Sequence, residues 1–258
     1  MTQRTEGRLV ELYRYPLKGF SGERLVHVDV TPGEALPYDR AFAVENGQGR
    51  FDPLAPKHLP KVNFIMRMRD EKLAALETAF ETETNVLTII RDGKQVARGD
   101  LSTAIGRSTI EQFLAGFLAG TLRGAPRIVF ADGHTFSDVP LKCVHIVNLA
   151  TVREISRVVG QDVHPLRFRA NLYVDGVPPW SEFDWIDKRL TLGDCALKVI
   201  DRTVRCAATD VNPETAERDM ALPQALMRHF GHDDFGVYAT VRAGGRLAEG
   251  QEFHVEEQ

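Results

Sequence analysis

The chain has 258 residues, 43% of them hydrophobic and 26% charged, enough to bury one large core or two smaller ones in close contact. With 32 Lys and Arg against 36 Asp and Glu the net charge is −4, so the overall field recruits neither nucleic acid nor an anionic membrane, and any anion site must be local. No apolar run approaches the ~20 residues of a spanning helix, and Met1-Thr2-Gln3-Arg4-Thr5-Glu6 carries no apolar signal core; a cytoplasmic protein without membrane contact is expected.

Residues 8–44 read as strands broken by turns. Leu9-Val10-Glu11-Leu12-Tyr13 alternates, Pro16 and Gly19 interrupt it, and Leu25, Val26, Val28 and Val30 suit a half-buried sheet. Residues 31–34 form a turn, residues 40–44 another strand, and residues 45–49 the loop after it. Pro53, Pro56 and Pro60 make residues 52–61 an irregular connection able to border a pocket. Strand character resumes over residues 62–68 and again over residues 86–90, where Arg91-Asp92-Gly93-Lys94 closes a hairpin. A first unit is expected over residues 1–95 and a second over 96–258.

In the second unit Ile105, Ile110, Phe113, Leu114, Phe117 and Leu118 recur at helical spacing, as do Leu149, Val152, Ile155 and Val158. Strands are expected at 172–174, 190–192, 196–200 and 237–241, and a short helix over 222–230 opening at Pro223. The sum is a β-rich α+β fold: a barrel-like first unit packed on a second β unit, with helices at the periphery.

There is no phosphate loop, no GxGxxG after a strand, no GxSxG elbow and no HExxH helix. Cys143, Cys195 and Cys206 are an odd set without a CxxC, against a disulfide framework, a zinc ribbon or a self-contained iron–sulfur cluster. Cys143 and Cys195 read as small core residues. Cys206 follows Arg202 and Arg205 in a polar segment with Thr203, Thr209 and Asp210. Adjacent guanidiniums favour the thiolate, the form that binds a soft metal or attacks an electrophile; on chemistry alone a buried cysteine beside surface arginines fits as well. The run from His229 through Gly231 and His232 to Asp233 and Asp234 reads as a helix cap and loop.

Six short motifs add a resemblance. Phe136-Ser137-Asp138-Val139-Pro140, then residues 167–176 from Arg167-Phe168-Arg169-Ala170-Asn171 onward, Glu182-Phe183-Asp184-Trp185, Leu192-Gly193-Asp194, residues 205–215 and Phe235-Gly236-Val237-Tyr238 occur in this order. The C-terminal half resembles the MOSC domain, named for the C-terminal domain of molybdenum-cofactor sulfurases, in the branch of the mitochondrial amidoxime-reducing component and its bacterial relatives. Through Tyr15-Pro16-Leu17-Lys18 and Leu36-Pro37-Tyr38-Asp39-Arg40 the N-terminal half resembles the β-barrel domain that precedes it.

The resemblance implies a molybdenum cofactor, molybdopterin, whose metal takes Cys206 as ligand. It implies that Lys18, Arg40, Ser137, Arg169, Asn171, Arg205 and Thr209 hold the pterin and its phosphate. Asp138 or Asp210 would supply protons, and the activity implied is reduction of N-hydroxylated or related N–O small-molecule substrates. The chain has no nucleotide fingerprint and ends at Gln258 after a strand, so an external electron donor, a reductase or ferredoxin-like protein, is expected. Two departures from the family pattern stand out: Gly19-Phe20 after Lys18, and a Pro-rich segment in place of a basic strand. Two other readings stay open: a sulfur or cofactor carrier using a Cys206 persulfide, and a degenerate module without metal.

Overall fold

The computed structural model describes residues 5–47 and 49–256; residues 1–4, read above for a signal core, and Gln48 of the loop expected after the third strand lie outside the described residues. Strand β1 (Thr5–Arg14) opens the chain and is followed by β2 (Glu23–Leu25), β3 (His27–Val30) and β4 (Ala43–Asn46). Val26 lies at the break between β2 and β3 and is exposed. The expected strand over residues 40–44 begins later, because Arg40 takes a left-handed backbone with φ of 52°.

The expected strand over residues 62–68 does not form. Phe64 makes one bridge to Glu45, while Phe64 and Ile65 are both buried at consecutive positions, a pattern no half-buried strand gives. The hairpin does form: β5 (Glu77–Glu81), β6 (Val86–Arg91) and β7 (Lys94–Asp100) make a three-stranded sheet, with Asp92 and Gly93 both at positive φ in the turn between β6 and β7. Helix α1 (Ala104–Phe117) starts where Thr103 Oγ1 accepts from the Gly106 N–H at 3.0 Å. Strand β8 (Pro126–Val129) pairs with β4. Ile110, Leu114 and Ile128 join Leu17, Phe42 and Leu87 in one apolar cluster, so helix α1 and strand β8, beyond residue 95, complete the N-terminal unit.

The remaining elements are β9 (Val144–Asn148), α2 (Leu149–Val159), β10 (Leu172–Asp175), β11 (Arg189–Leu192), β12 (Cys195–Val204), α3 (Leu222–Phe230), β13 (Asp234–Ala243), β14 (Gly245–Ala248) and β15 (Glu252–Glu256). Seven strands close a barrel in the order β1, β10, β9, β13, β12, β11, β15 and back to β1. Closure leaves no free edge around the ring. The parallel β9–β10 pair needs a crossover, which α2 supplies; it is capped by the Asn148 side chain at 3.0 Å and by Gly160 in the left-handed region. Inside the barrel Leu9, Leu12, Ile146, Leu197, Val237 and Phe253 pack together, and Trp185 meets Phe253 edge-on at 5.4 Å. The barrel therefore borrows its first stave from the N-terminus, and that crossing sets the two units side by side. Among the described residues no helix is long and apolar enough to cross a membrane.

Candidate functional site

A cleft of about 440 Å³ lies between the units. Its barrel wall is the end of β12 and the loop after it, carrying Arg205 and Cys206; its other wall carries Lys18, Arg40 and Arg67. The Cys206 loop is held from behind. Arg167, 2% exposed, is paired with both oxygens of Asp219 at 2.6 and 2.7 Å and donates to the carbonyls of Thr209 and Asp210. Thr209 turns the loop back, its hydroxyl and N–H both donating to the Cys206 carbonyl at 3.0 Å. Arg218 ties it to the opposite unit, donating to Ala207 O at 2.8 Å and to Met68 O at 2.6 Å. Cys206 is a free, half-buried thiol at the surface of the cleft.

The cations fall into two kinds. Lys18 is buried, donating to Phe136 O at 2.8 Å and to Asp138 Oδ1 at 2.5 Å, and Arg40 is paired with the neighbouring Asp39. Among the described residues Arg67, Arg169 and Arg205 have no carboxylate partner and donate to backbone carbonyls instead: Gly19 O, Phe20 O and Phe168 O. Burial pushes Arg67 down to about 9 and Arg169 down to about 10, and depresses Arg205 as well. Arg205 Nε is buried without a partner, as is the Thr203 hydroxyl on the same wall. Arg67 is buried and Arg169 and Arg205 are half-buried; guanidiniums withdrawn from water without a counter-charge are unfavourable, so three around one cleft describe a site shaped for an anion.

The Gly19-Phe20 departure has a physical reason. Gly19 sits at φ +88°, where a Cβ would come within 3.0 Å of Ile65 O, and Phe20 is fully buried in the N-terminal core. Their carbonyls are the ones that receive Arg67 and Arg169. The turn thus offers backbone acceptors in place of polar side chains, and delivers a basic residue from segment 66–69.

Of the residues singled out from the sequence, Cys206, Asp138, Lys18, Arg40, Ser137, Arg169, Asn171, Arg205 and Thr209 line the cleft. Several already spend their polar groups internally. Asn171 accepts from the His145 N–H at 3.0 Å and donates to Tyr13 O at 3.1 Å, joining β9 to β1; the Ser137 hydroxyl donates to Val139 O. Asp210 is not in the cleft: its carboxylate accepts from the Leu222 N–H at 2.8 Å, satisfying a free amide at the start of α3. Asp138 is in the cleft but poorly suited to give a proton. Burial works to raise it, yet the Lys18 ammonium beside it holds the carboxyl well below the usual range.

Sequence reasoning missed Arg67, His145 and Tyr238. A charged residue inside the run Ile65-Met66-Arg67-Met68 and a histidine inside Val144-His145-Ile146-Val147 were the available signals, each a polar side chain breaking an apolar run. His145 is buried beside Arg205, with Nε2 at 3.4 Å from Nη1; burial and that cation hold it neutral. Tyr238 lines the cleft with its phenol pushed up to about 12 by burial. Cys143 also lines the cleft, its thiol raised to about 12 by burial, whereas Cys195 lies in the barrel core. Gly231 caps α3 in the left-handed region, and His232 packs edge-on against Trp180 and Phe183. A neighbouring cavity of about 570 Å³ is lined by Tyr38, Phe42 and Phe130 with a satisfied Glu34–Lys142 pair and no cysteine; despite its size, the reactive groups are in the smaller cleft.

Comparison with known proteins adds the following. Residues 133–254 match the MOSC domain, and residues 6–120 match the MOSC N-terminal beta barrel domain. The molybdenum cofactor sulfurase of Caenorhabditis briggsae is 26% identical over 240 residues, covering 89% of this chain and 33% of that protein. Mitochondrial amidoxime reducing component 2 of Rattus norvegicus is 25% identical over 119 residues, 42% of this chain and 35% of that protein. The chain thus spans about a third of the length of these curated relatives. A solved structure, the YUAD protein from Bacillus subtilis, aligns over 100% of both chains at 16% identity with a TM-score of 0.46.

Proposed function

Because the chain belongs to the MOSC family, we propose that its cleft binds a molybdenum cofactor and that Cys206 is the protein ligand to the metal. One observation carries the reading: a free thiol shares a cleft with three guanidiniums that no carboxylate of the described residues neutralises. The residues fit the group. Molybdopterin brings a phosphate, which suits planar guanidinium forks, and a soft metal, which suits a thiolate. Arg67, Arg169 and Arg205 would hold the anionic end together with Arg40 beside Arg169, and Lys18 would lie behind them.

When bound, the group supplies two-electron oxygen-atom chemistry at molybdenum. The chain binds and orients it, and excludes water with the barrel wall. The substrate class is an N-hydroxylated or related N–O compound: its reduction takes two electrons and two protons and releases water. The electrons come from a separate reductase or ferredoxin-like protein. With Asp138 ionised and Asp210 capping a helix, the protons come from solvent or from another cleft group rather than from these two.

A second reading is favoured by the sulfurase relatives, whose C. briggsae member matches over 89% of this chain against 42% for the amidoxime relative. In it Cys206 carries a persulfide or hands cofactor to another protein. The test is molybdenum and pterin per chain after expression in a host that makes molybdopterin, for wild type and Cys206→Ser. Near-stoichiometric metal lost in the variant supports the ligand assignment. Labile sulfane sulfur without metal favours the carrier, and well-folded protein with neither sinks both.

A further inference from the structure

Arg40 and Arg169 come from opposite units and are both in the left-handed region, at φ 52° and 54°, a costly conformation for long side chains that persists where its surroundings hold it. What holds them is Tyr15. Its ring lies under both guanidiniums, 4.8 Å from Arg40 and 4.5 Å from Arg169. Its backbone N–H donates to Asp39 Oδ1 at 2.8 Å, its carbonyl accepts from the Arg40 N–H at 2.7 Å, and its hydroxyl donates to Ala170 O at 3.1 Å. Each bond ends on the arginine itself or on its immediate neighbour. Arg40 Nη2 then donates to Arg169 O at 3.1 Å. Gly22 leaves the ring its space, since a Cβ there would lie 2.5 Å from it.

Two cations held this close repel each other, and Asp39 pairs with one of them only. A tyrosine face is electron-rich and attracts both. From this geometry we propose that Tyr15 is a positioning residue: its ring sets the spacing of Arg40 and Arg169, making of them a two-armed clamp for a phosphate-class oxyanion. The inference rests on the cofactor reading only for the source of that oxyanion, which is either the phosphate of a bound cofactor or free phosphate. The Tyr15 hydroxyl contributes one neutral hydrogen bond, whereas the ring face carries the positioning.

The test replaces Tyr15 with phenylalanine and with mono-, di- and trifluorinated phenylalanines, which withdraw charge from the ring face with little change of shape. The readouts are affinity of the cofactor-free protein for inorganic phosphate, by calorimetry, and melting temperature. Tyr15→Phe is expected to bind within about threefold of wild type, and the fluorinated series to weaken stepwise to about tenfold at unchanged melting temperature. Affinity that stays flat along the series, or falls only in step with the melting temperature, overturns the proposal, as does wild-type protein that binds no phosphate at millimolar concentration. In protein from a molybdopterin-making host, loss of phosphate uptake on loading puts the cofactor's phosphate in the clamp; undiminished uptake assigns the clamp to free phosphate. Wild-type protein that holds phosphate but never pterin would remove the cofactor reading and leave the role of Tyr15 standing.

Discussion

The back and the front of the Cys206 loop treat arginine in opposite ways. Behind the loop, Arg167 has a bidentate carboxylate and two carbonyls, so that its charge is neutralised and its donors are largely spent on the chain itself. In front, Arg205 has one carbonyl, a neutral histidine and, among the described residues, no carboxylate; an unpartnered Nε is common to both arginines. The first arrangement is that of a scaffold and the second that of a binding group. A buried cation with its own counter-ion stabilises geometry, while one without it is tolerated where a ligand anion completes it.

This contrast can be broken by mutation. The largest expected effect is at the back: Asp219→Ala leaves Arg167 buried and unpaired, and should cost about 3 kcal/mol of stability, read by denaturant unfolding. A loss below about 1 kcal/mol would mean the pair is not structural. Next comes acid. Asp138 is held below the ordinary aspartate range in the folded state, so its contribution is full above the unfolded value near ~3.9 and is lost as pH falls from there towards the folded value. Asp138→Asn should flatten that part of the profile of melting temperature against pH; an unchanged profile would detach Asp138 from Lys18.

At the front, Arg205→Met should lose no more than about 1 kcal/mol, since it removes a charge that lacks a counter-ion, yet should sharply reduce pterin retained on purification. Equal loss of stability at Asp219 and Arg205 would erase the distinction between the two faces. The smallest effect on folding belongs to Cys206→Ser, within about 0.5 kcal/mol as for a site making no structural bond through its side chain, while molybdenum content falls. A variant that keeps its metal would remove Cys206 from the ligand set.

Legibility in the sequence followed the range of the interactions. The hairpin at Asp92-Gly93, the helix entered at Asn148 and the helix opening at Pro223 depend on neighbours within a few positions, and the structure has all three. Residues 62–68 read as a strand because their apolar side chains suit one, but the segment meets β4 at one bridge, between Phe64 and Glu45, and turns at Arg67. Strands β8, β9 and β14 went unread because pairing across the chain, more than local pattern, makes them strands.

By itself the sequence determined the helices and tight turns, the family motifs, and Cys206 beside Arg202 and Arg205 as a site of chemical interest, because those signals reside in residue type and short spacing; Arg169 entered only through what the family resemblance implies. Tertiary structure alone decided that the first strand would close the C-terminal barrel, that Arg67, His145 and Tyr238 would join the cleft, and that Asp210 would cap a helix outside it. It also decided which arginines keep a free charge. Whether a guanidinium finds a carboxylate is set by segments far apart in the chain, as with Arg169 and the carbonyl of Phe20, 149 residues away.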